Sequence, residues 1–349
     1  MTKELRHLKF LAKKPRVVPR LVKDIWDVRV LGKNRLRTVD FAITYRCTAK
    51  CVFCSAHKLA LNGRRRGEKE LSPAEIGDVM AQAKELGALH VNLTGGSPTV
   101  RGNELESIIA AIGPKDTLVS MVTNSILLTH DLLKACAVAG LDTLQLSLES
   151  MNHAVHDRVR CAPGNWNKLM RVLDWALDLR LNVCLSTVLT ADNFDNARAI
   201  ADYAKKRGVF CLLNPVSASG ANADGAVACG IAGKKDEYYA LLNSGDHIRA
   251  DTVVNFRGGA GCPAGVERIE ITPYGDVMTC PHVQVSYGNV RKQSLAAIYE
   301  RMCADPWLRD FEKDCRHVWG SAGYIESRLK PTWGRDDLPI PAEELGVSG

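Results

Sequence analysis

The sequence lacks long hydrophobic runs and a secretory signal. No apolar stretch is long enough to cross a bilayer as a helix. The amino-terminal residues carry charges throughout and lack the uninterrupted apolar core of a signal peptide. There is no low-complexity tract, and no internal repeat beyond a strand–helix period. These absences predict a cytoplasmic globular protein.

Cysteine, in contrast, is abundant, with twelve residues in a chain of 349. In a reducing compartment such thiols stay free or bind metal rather than form disulfides. Cys136, Cys184 and Cys211 lie inside apolar stretches and are predicted to be buried structural thiols. The remaining cysteines include two groups that are candidates for metal binding.

Positive charge is concentrated at the amino terminus. Residues 1–37 contain twelve Lys and Arg against three acidic residues, a net charge of +9, so the rest of the chain carries −2 of the total of +7. This basic arm is either a solvated extension or a contact for an anionic surface, such as phospholipid, a phosphorylated substrate or an acidic partner. No recognised nucleic-acid-binding motif accompanies it. We therefore expect a cytoplasmic protein, either without membrane contact or bound peripherally to a membrane through this arm.

From residue 38 the pattern alternates between strands and helices. Six strand–helix repeats end near residue 215, with strands predicted at 38–44, 89–93, 117–122, 143–148, 183–189 and 209–213. The helix at 72–87 begins with capping signals, Ser72, Pro73 and Glu75. Several strands are nearly all apolar, as expected when helices cover both faces of a parallel sheet. The alternation predicts an α/β fold with a parallel sheet, open or curled into a barrel.

Polar residues follow the carboxyl ends of these strands, where α/β proteins place their reactive groups. A cysteine loop follows the first strand, and a Gly-Gly turn at Gly95 follows the second. Asn124 follows the third strand, and Ser147 and Glu149 close the fourth. We expect these residues to meet at one edge of the sheet. Glu267 and Asp276 are further acidic residues near expected loop ends.

Cys47, Cys51 and Cys54 place three thiols within eight residues. Three thiolates on one loop can bind three irons of a cubane cluster, and the fourth iron is then free to accept a small molecule. A structural zinc site with His57 as its fourth ligand is the alternative, although the first pair lacks the usual C-x2-C spacing.

This loop, with Phe53 before its last cysteine, resembles the signature of radical S-adenosylmethionine (SAM) enzymes. Further resemblance lies in the turn at Gly95, Gly96 and Ser97, although the family more often has Glu at the position of Ser97. The resemblance implies a [4Fe–4S] cluster on Cys47, Cys51 and Cys54, and a partial (β/α)6 barrel. It also implies that SAM is bound by the following residues: Phe53, Gly95, Gly96, Ser97, Asn124, Ser147 and Arg160.

The chemistry implied by the family is reductive cleavage of SAM. An electron from the reduced cluster releases methionine, and the resulting 5′-deoxyadenosyl radical abstracts hydrogen from a substrate. Such an enzyme requires an electron donor, for which flavodoxin or ferredoxin is expected. The protein itself binds and orients the cofactor and the substrate, and it excludes water from the site.

A second cysteine group lies near the carboxyl terminus. Cys262 and Cys280 bracket a predicted β-hairpin that turns at Gly275. The pattern resembles the start of the SPASM or twitch extension of radical SAM enzymes, which implies an auxiliary [4Fe–4S] cluster on Cys262, Cys280 and Cys315. Candidates for the fourth ligand are Cys303, His317, His282 or the substrate. Structural thiols are the alternative.

The resulting division of the chain is a basic arm (1–37), a radical SAM barrel (38–215), a linker (216–254), an auxiliary-cluster module (255–320) and a tail (321–349). No peptide-recognition domain is evident before the barrel. We therefore expect an enzyme that oxidises or rearranges a small-molecule or lipid-like substrate in a biosynthetic pathway. The alternatives are a SPASM-type peptide-modifying enzyme and a non-catalytic iron–sulfur redox sensor.

Overall fold

A computed structural model describes residues 13–61, 67–223, 232–250, 253–254, 256, 260–309 and 314–347. The strands of its main sheet are β1 (Thr38–Thr44), β2 (His90–Gly95), β3 (Leu118–Thr123), β4 (Thr143–Ser147), β5 (Asn182–Leu189), β6 (Phe210–Pro215), β7 (Ile248–Arg249), β10 (Arg268–Ile271) and β11 (Val277–Met278). Short strands outside it are β8 (Val253–Val254), β9 (Ala260–Gly261), β12 (Val285–Ser286) and β13 (Ile340–Pro341).

Helices separate these strands. They are α1 (Val17–Arg29), α2 (His57–Leu61), α3 (Pro73–Glu85), α4 (Glu104–Ile112), α5 (His130–Ala139), α6 (His153–Arg160), α7 (Asn165–Asp178), α8 (Ala197–Arg207), α9 (Lys235–Asn243), α10 (Leu295–Ala304), α11 (Pro306–Arg309), α12 (Arg316–Trp319) and α13 (Ala322–Tyr324). None of the helices in the described ranges is long and apolar enough to cross a bilayer.

The sheet order is β11-β10-β1-β2-β3-β4-β5-β6-β7, and every neighbouring pair is parallel except β10 with β11. The predicted α/β fold is confirmed, and the consecutive order of β1 to β6 is that of a partial (β/α)6 barrel. We call the carboxyl ends of the strands the mouth of the barrel and the amino ends its base.

In two strands of the sheet, β5 and β6, one face is more buried than the other. Along β5, side chains alternate between buried and half-exposed, and the same alternation runs through β6. Successive side chains of a strand point to opposite faces. The half-exposed face of β5 and β6 lines the lumen of the barrel, so helices do not cover both faces of these two strands, whereas β1 is buried at every position after Thr38.

The helix α3 begins as the sequence predicts. The hydroxyl of Ser72 accepts a hydrogen bond from the Glu75 N–H, and the Glu75 carboxylate accepts one from the Ser72 N–H at 2.8 Å. Pro73 occupies the first helical position, where its missing N–H costs nothing. These contacts fix where the chain turns back toward the sheet.

The segment 216–254 differs from the predicted linker. It contains α9, the sixth helix of the barrel, and β7, which pairs in parallel with β6. The buried Tyr238 of α9 donates a hydrogen bond to the Leu213 carbonyl at 3.0 Å. The residues from 232 to 250 thus continue the barrel instead of connecting two domains.

The C-terminal extension, residues 260–347, is joined to the barrel sheet. Its predicted hairpin is present as β10 and β11, and β10 pairs in parallel with β1. The exposed edge that β1 would otherwise present is thereby covered. Residues 321–347 are not a free tail: β13 pairs with β12, and Trp333 donates its indole N–H to the Ala218 carbonyl at 2.8 Å.

The described part of the basic arm packs against the base of the barrel. Lys14 is buried, donates to the Thr117 carbonyl at 2.8 Å and forms an ion pair with Asp142. Arg20 donates to the carbonyls of Asp116 and Ala88 at 2.8 and 2.7 Å. Several arm cations therefore stabilise the loops before β2, β3 and β4, and the first twelve residues lie outside the described part.

Candidate active site

The loop that carries the first three cysteines is held at the mouth by neighbouring loops. Asn124 donates its side-chain N–H to the Cys47 Sγ at 3.5 Å. The Val52 N–H donates to the Val159 carbonyl at 3.4 Å, and the Ala221 N–H donates to the Cys54 carbonyl at 2.9 Å. The loops after β3, β4 and β6 thus converge on the cysteine loop, as the strand-end argument predicts.

The chemistry of the thiols suits metal binding with proton release. Burial raises the pKa of Cys51 to about 12 and also raises that of Cys54, while the positive charge of Arg160 opposes both shifts. Thiolates are the metal ligands, so bound iron must displace these protons. The neighbouring Cys47 adds to the rise in the pKa of both Cys51 and Cys54, which places the three thiols in one cluster.

A preformed site for a single metal ion is not found in this cluster. Across the described ranges, no three His, Cys, Asp or Glu side chains converge tightly enough to hold one ion. Structural zinc requires four ligands around one centre. A cubane cluster, in contrast, gives each thiolate its own iron.

The Gly-Gly turn lies against the start of the cysteine loop. Gly95 has φ of +116°, and a Cβ at Gly96 would lie 2.5 Å from the Arg46 carbonyl oxygen. Only glycine permits this approach. The Gly96 and Ser97 N–H groups donate to the Thr44 and Arg46 carbonyls at 2.7 and 2.9 Å, so the turn is held against the start of the cysteine loop. Ser97 differs from expectation, since its hydroxyl is buried and shares a hydrogen bond with Thr99 at 2.9 Å.

Arg160 is held at the mouth by a buried carboxylate. Glu149 accepts from the Arg160 Nη1 at 3.1 Å and from the Val188 N–H at 2.9 Å. The Arg160 Nε is buried and has no hydrogen-bond partner among the described residues. An unsatisfied guanidinium N–H is costly unless a ligand accepts from it, and this atom fits a carboxylate such as that of SAM.

His156 connects these loops as a neutral side chain. Its Nδ1 accepts from the Glu149 N–H at 3.1 Å, so its Nε2 donates to the Asn165 side-chain oxygen at 2.9 Å. Asn165 in turn donates to the Asn124 carbonyl at 2.7 Å. Burial lowers the pKa of His156 to about 4, which keeps the ring neutral. The network fixes Asn124 relative to Glu149.

Two further predicted site residues lie close by. Ser147 is buried at the end of β4, beside Ser186 of β5, and Phe53 is half-buried in the cysteine loop. Of the three acids noted in the sequence, Glu149 alone lies at the mouth. Glu267 accepts from the Phe256 N–H at the base, and Asp276 accepts from Asn289 at the hairpin turn.

The polar lining of the lumen was not identified from the sequence. Polar side chains occur on the lumen face of several strands, at Asp40, Asn92, Ser120, Gln145, Ser186, Asn214 and Glu270, and apolar residues such as Val122, Val188 and Leu212 lie among them. Alternation of polar and apolar residues within each strand, as in TVDFAIT and TLQLS, is the signal for it. Burial and the neighbouring Asp40 raise the pKa of Glu270 well above its ordinary value.

The second cysteine group is partly assembled. Burial, with the charge of Cys262 as the next cause, raises the pKa of Cys280 to about 12, so these two thiols lie close together. Cys315 is buried at the start of α12. Cys303 instead interacts with Asn34 and Tyr299, and His317 stacks on His282 with ring centroids 4.1 Å apart. The Nδ1 of His317 is buried without a hydrogen-bond partner in the described ranges.

The two cysteine groups are linked by short contacts. Gln284, four residues after Cys280, donates to the Ser55 carbonyl next to Cys54 at 2.7 Å. Ser219, in the loop after β6, shares a hydrogen bond with His282 at 3.3 Å. Both groups therefore lie on the mouth side of the sheet.

Family models match both halves of this arrangement. Residues 41–214 match the radical SAM superfamily, and residues 262–325 match SPASM, described as an iron–sulfur cluster-binding domain. The first match implies a [4Fe–4S] cluster and SAM as cofactors, and the second implies auxiliary iron–sulfur clusters. The thiols, the glycine turn and the Arg160 Nε fit these cofactors.

Relatives with assigned activities match over most of the chain. A PqqA peptide cyclase of Rhizobium meliloti is 27% identical over 305 residues, which cover 78% of this chain and 77% of the relative. A mycofactocin maturase of Mycolicibacterium smegmatis is 26% identical over 289 residues, covering 78% of this chain and 71% of the relative.

The fold also matches a solved structure. SuiB of Streptococcus suis, bound to its precursor peptide SuiA, superposes with a TM-score of 0.60 at 15% sequence identity. The match covers 79% of this chain, and the chain spans 66% of the length of SuiB, slightly under two thirds. From its cysteine loop, its barrel and both domain matches, the chain belongs to the radical SAM superfamily and carries a SPASM domain, and it is an enzyme of radical chemistry.

Proposed function

We propose that this enzyme modifies a peptide. The observation that carries the proposal is the similarity to a PqqA peptide cyclase, which continues through both the barrel and the C-terminal extension. The mycofactocin maturase is similar over a comparable length. The expectation of a small-molecule or lipid-like substrate has no support among these relatives, and the peptide alternative replaces it here.

The polar lumen supports a peptide substrate. Asn92, Gln145 and Asn214 supply side-chain amides, and Ser120 and Ser186 supply hydroxyls. Peptide N–H and C=O groups require partners when they leave water, and amides and hydroxyls both donate and accept hydrogen bonds.

In this proposal each part of the mouth has a role. Cys47, Cys51 and Cys54 hold the first cluster, and Cys262, Cys280 and Cys315 contribute to an auxiliary one. The Gly95–Gly96 backbone, Asn124, Ser147 and Arg160 orient SAM, and Glu149 positions Arg160. When bound, the cluster and SAM together supply the chemistry of hydrogen abstraction. A one-electron reductant is required, for which flavodoxin or ferredoxin is proposed.

The test uses anaerobic, reconstituted protein with SAM, dithionite and synthetic peptides encoded by short reading frames beside the gene. We expect one peptide to change mass in a SAM-dependent manner, with formation of 5′-deoxyadenosine. The variant with Cys47, Cys51 and Cys54 all replaced by Ala should produce neither. Cleavage of SAM stimulated by a small-molecule extract, and by no peptide, would contradict the proposal. Absence of any cleavage in cluster-loaded protein would favour the redox sensor.

A further inference from the structure

Helix α1 and the turn after it, residues 30 and 31, present large apolar side chains to solvent. Val18, Val22, Trp26 and Val30 follow each other at intervals of four residues, with exposed fractions of 39%, 61%, 60% and 56%, and Leu31 adds 51%. Side chains four apart lie on one face of a helix. We call these five residues the apolar stripe. They account for half of the ten exposed large hydrophobic residues in the described part of the chain.

The segment that carries the apolar stripe exposes charge of one sign only. The acidic residues of this region, Asp24 and Asp27, are buried. Asp27 accepts from Lys23 at 2.8 Å and pairs with Arg35. The exposed charged residues between 13 and 34 are all basic: Lys13, Arg16, Lys23, Arg29 and Lys33. An apolar face whose own segment exposes only cations suits an anionic surface with an apolar interior.

The positive charge extends to the adjoining loop. Arg16 lines a surface cleft of about 460 Å³ together with Lys84 and Lys115. Asp116, the acid of this cleft, is already paired with Lys84 at 2.7 Å. The cleft therefore continues the basic surface beyond α1.

The opposite face of α1 is fully engaged. Val17 and Val28 are buried with Leu89 and Phe256 in a small apolar cluster, and the Arg20 contacts described above hold α1 to the base. The helix is therefore fixed, with its apolar stripe turned outward. Because α1 is already ordered, little conformational entropy is lost when the apolar stripe contacts a partner, which favours binding.

We propose that the apolar stripe and its basic border dock the base of the barrel onto an anionic lipid surface. Trp26 lies at the middle of the stripe, and Trp is the side chain that prefers the boundary between headgroups and acyl chains. Lys and Arg beside it are attracted to anionic headgroups. A protein partner of matching charge would need a long apolar groove as well, whereas a lipid surface offers both features everywhere.

The geometry sets the orientation of the enzyme. Because α1 contacts the loops that precede β2, β3 and β4, the docked face is opposite the mouth. The mouth then opens toward water, and the proposed peptide substrate reaches it without passing the bilayer. Docking is thus separate from the choice of substrate and does not require a lipid substrate.

The test is sedimentation of the full-length holoprotein with vesicles of phosphatidylcholine and phosphatidylglycerol in equal parts. We expect binding that falls as salt rises, because exposed charges are screened, and weak binding to phosphatidylcholine alone. The double variant Val22→Glu, Trp26→Glu should bind at least about tenfold more weakly, since it places carboxylates where apolar contact is needed. Leu61→Glu, at a residue equally exposed (61%) near the mouth, is the matched control and should bind normally.

Brominated lipids give a second measurement. Their acyl-chain bromines should quench the fluorescence of Trp26 in bound protein, and Trp26→Phe should bind normally but lose that part of the quenching. Retained binding by the double variant would overturn the proposal and leave only non-specific attraction by the arm. Stronger binding after deletion of residues 1–12 would show that this segment covers the apolar stripe, and would also overturn it.

Discussion

Gly220 is a single residue on which the position of the cysteine loop depends. It has φ of +60°, and a Cβ there would collide with the carbonyl oxygens of Cys54 and Ser55. Its neighbour Ala221 donates to the same Cys54 carbonyl. The loop after β6 therefore supports the last cysteine of the first cluster through backbone contacts alone.

We predict that Gly220→Ala lowers the iron bound after anaerobic reconstitution, toward the content of the variant with Cys47, Cys51 and Cys54 replaced by Ala. The clash must move either the α-carbon of residue 220 or the loop that carries Cys54. Iron and sulfide analysis, with absorbance of the cluster, measures the loss.

Gly208→Ala is the matched control for this prediction. Gly208 has φ of +70°, but a Cβ there meets no atom within 4 Å. Its substitution adds only the left-handed strain of about 1 kcal/mol and should leave the iron content unchanged. Equal iron content in both variants would show that the loop after β6 does not position Cys54.

The sequence identifies the individual site residues better than their contacts. The cysteines, the glycines and Arg160 stand in recognisable order along the chain. The inward hydrogen bond of Ser97 and the pairing of Arg160 with Glu149 depend on how α6 packs against the end of β4. Such packing has no local sequence pattern, so these contacts required the structure.

Glu75 connects helix α3 to the C-terminal extension. Besides closing the cap of α3, its carboxylate accepts from Arg291 at 2.7 and 3.2 Å. The hydrogen bonds from Arg291, and then those from Ser72, lower the pKa of Glu75 to about 2 from an ordinary value of 4.5. The carboxylate form is therefore favoured in the folded state.

We predict that Glu75 contributes stability above pH 4.5 and that this contribution disappears as the pH falls from 4.5 toward 2. The folded pKa lies below the unfolded one, so acid protonates the unfolded chain first. Glu75→Gln should lower the urea midpoint at pH 7, and its difference from the wild type should shrink in acid. Circular dichroism follows the unfolding.

Glu106→Gln is the control, because Glu106 lies exposed in the first turn of α4. It should leave the midpoint nearly unchanged at either pH. If Glu75→Gln lowered the urea midpoint equally at both pH values, the effect would be assigned to the helix cap alone. Such a cap contributes about 1 kcal/mol to the free energy of unfolding.

The helix whose capping residues are evident in the sequence was predicted well. The helix predicted at 72–87 is observed as Pro73–Glu85. Helix α9 was missed because it is short and follows a stretch rich in Gly, Ala and Ser. Its place in the barrel depends on the contact of Tyr238 with β6, which local composition does not encode.

Pairing of distant segments was the least predictable part of the fold. The hairpin of β10 and β11 was expected, yet its pairing with β1 was not. Arg268 and Asp40 form an ion pair across this junction, 228 residues apart in the chain. Nothing in either segment identifies the other, because many apolar strands could cover the same edge.

We predict that the two iron–sulfur sites load independently. With Cys47, Cys51 and Cys54 all replaced by Ala, the protein should retain roughly four irons per chain, held by the C-terminal cysteines. Replacement of Cys262, Cys280 and Cys315 instead should leave the first cluster. Iron counting and electron paramagnetic resonance of the dithionite-reduced variants measure both.

A folded triple variant at Cys47, Cys51 and Cys54 without residual iron would mean that the C-terminal thiols are structural. The substitution Cys303→Ala is an informative comparison in this series. Because Cys303 interacts with Asn34 and Tyr299, it should keep the full iron content.

The pairing of β1 with β10 also determines how the protein is made. A ribosome adds about 5–20 residues per second, so the 228 residues between Asp40 and Arg268 take roughly 10 to 45 s to synthesise. Throughout that interval one edge of β1 has no partner and can recruit other nascent chains. A fragment ending at residue 215 would keep that edge open permanently. Slow translation and scarce chaperones should therefore limit the yield of this enzyme before any cluster is inserted.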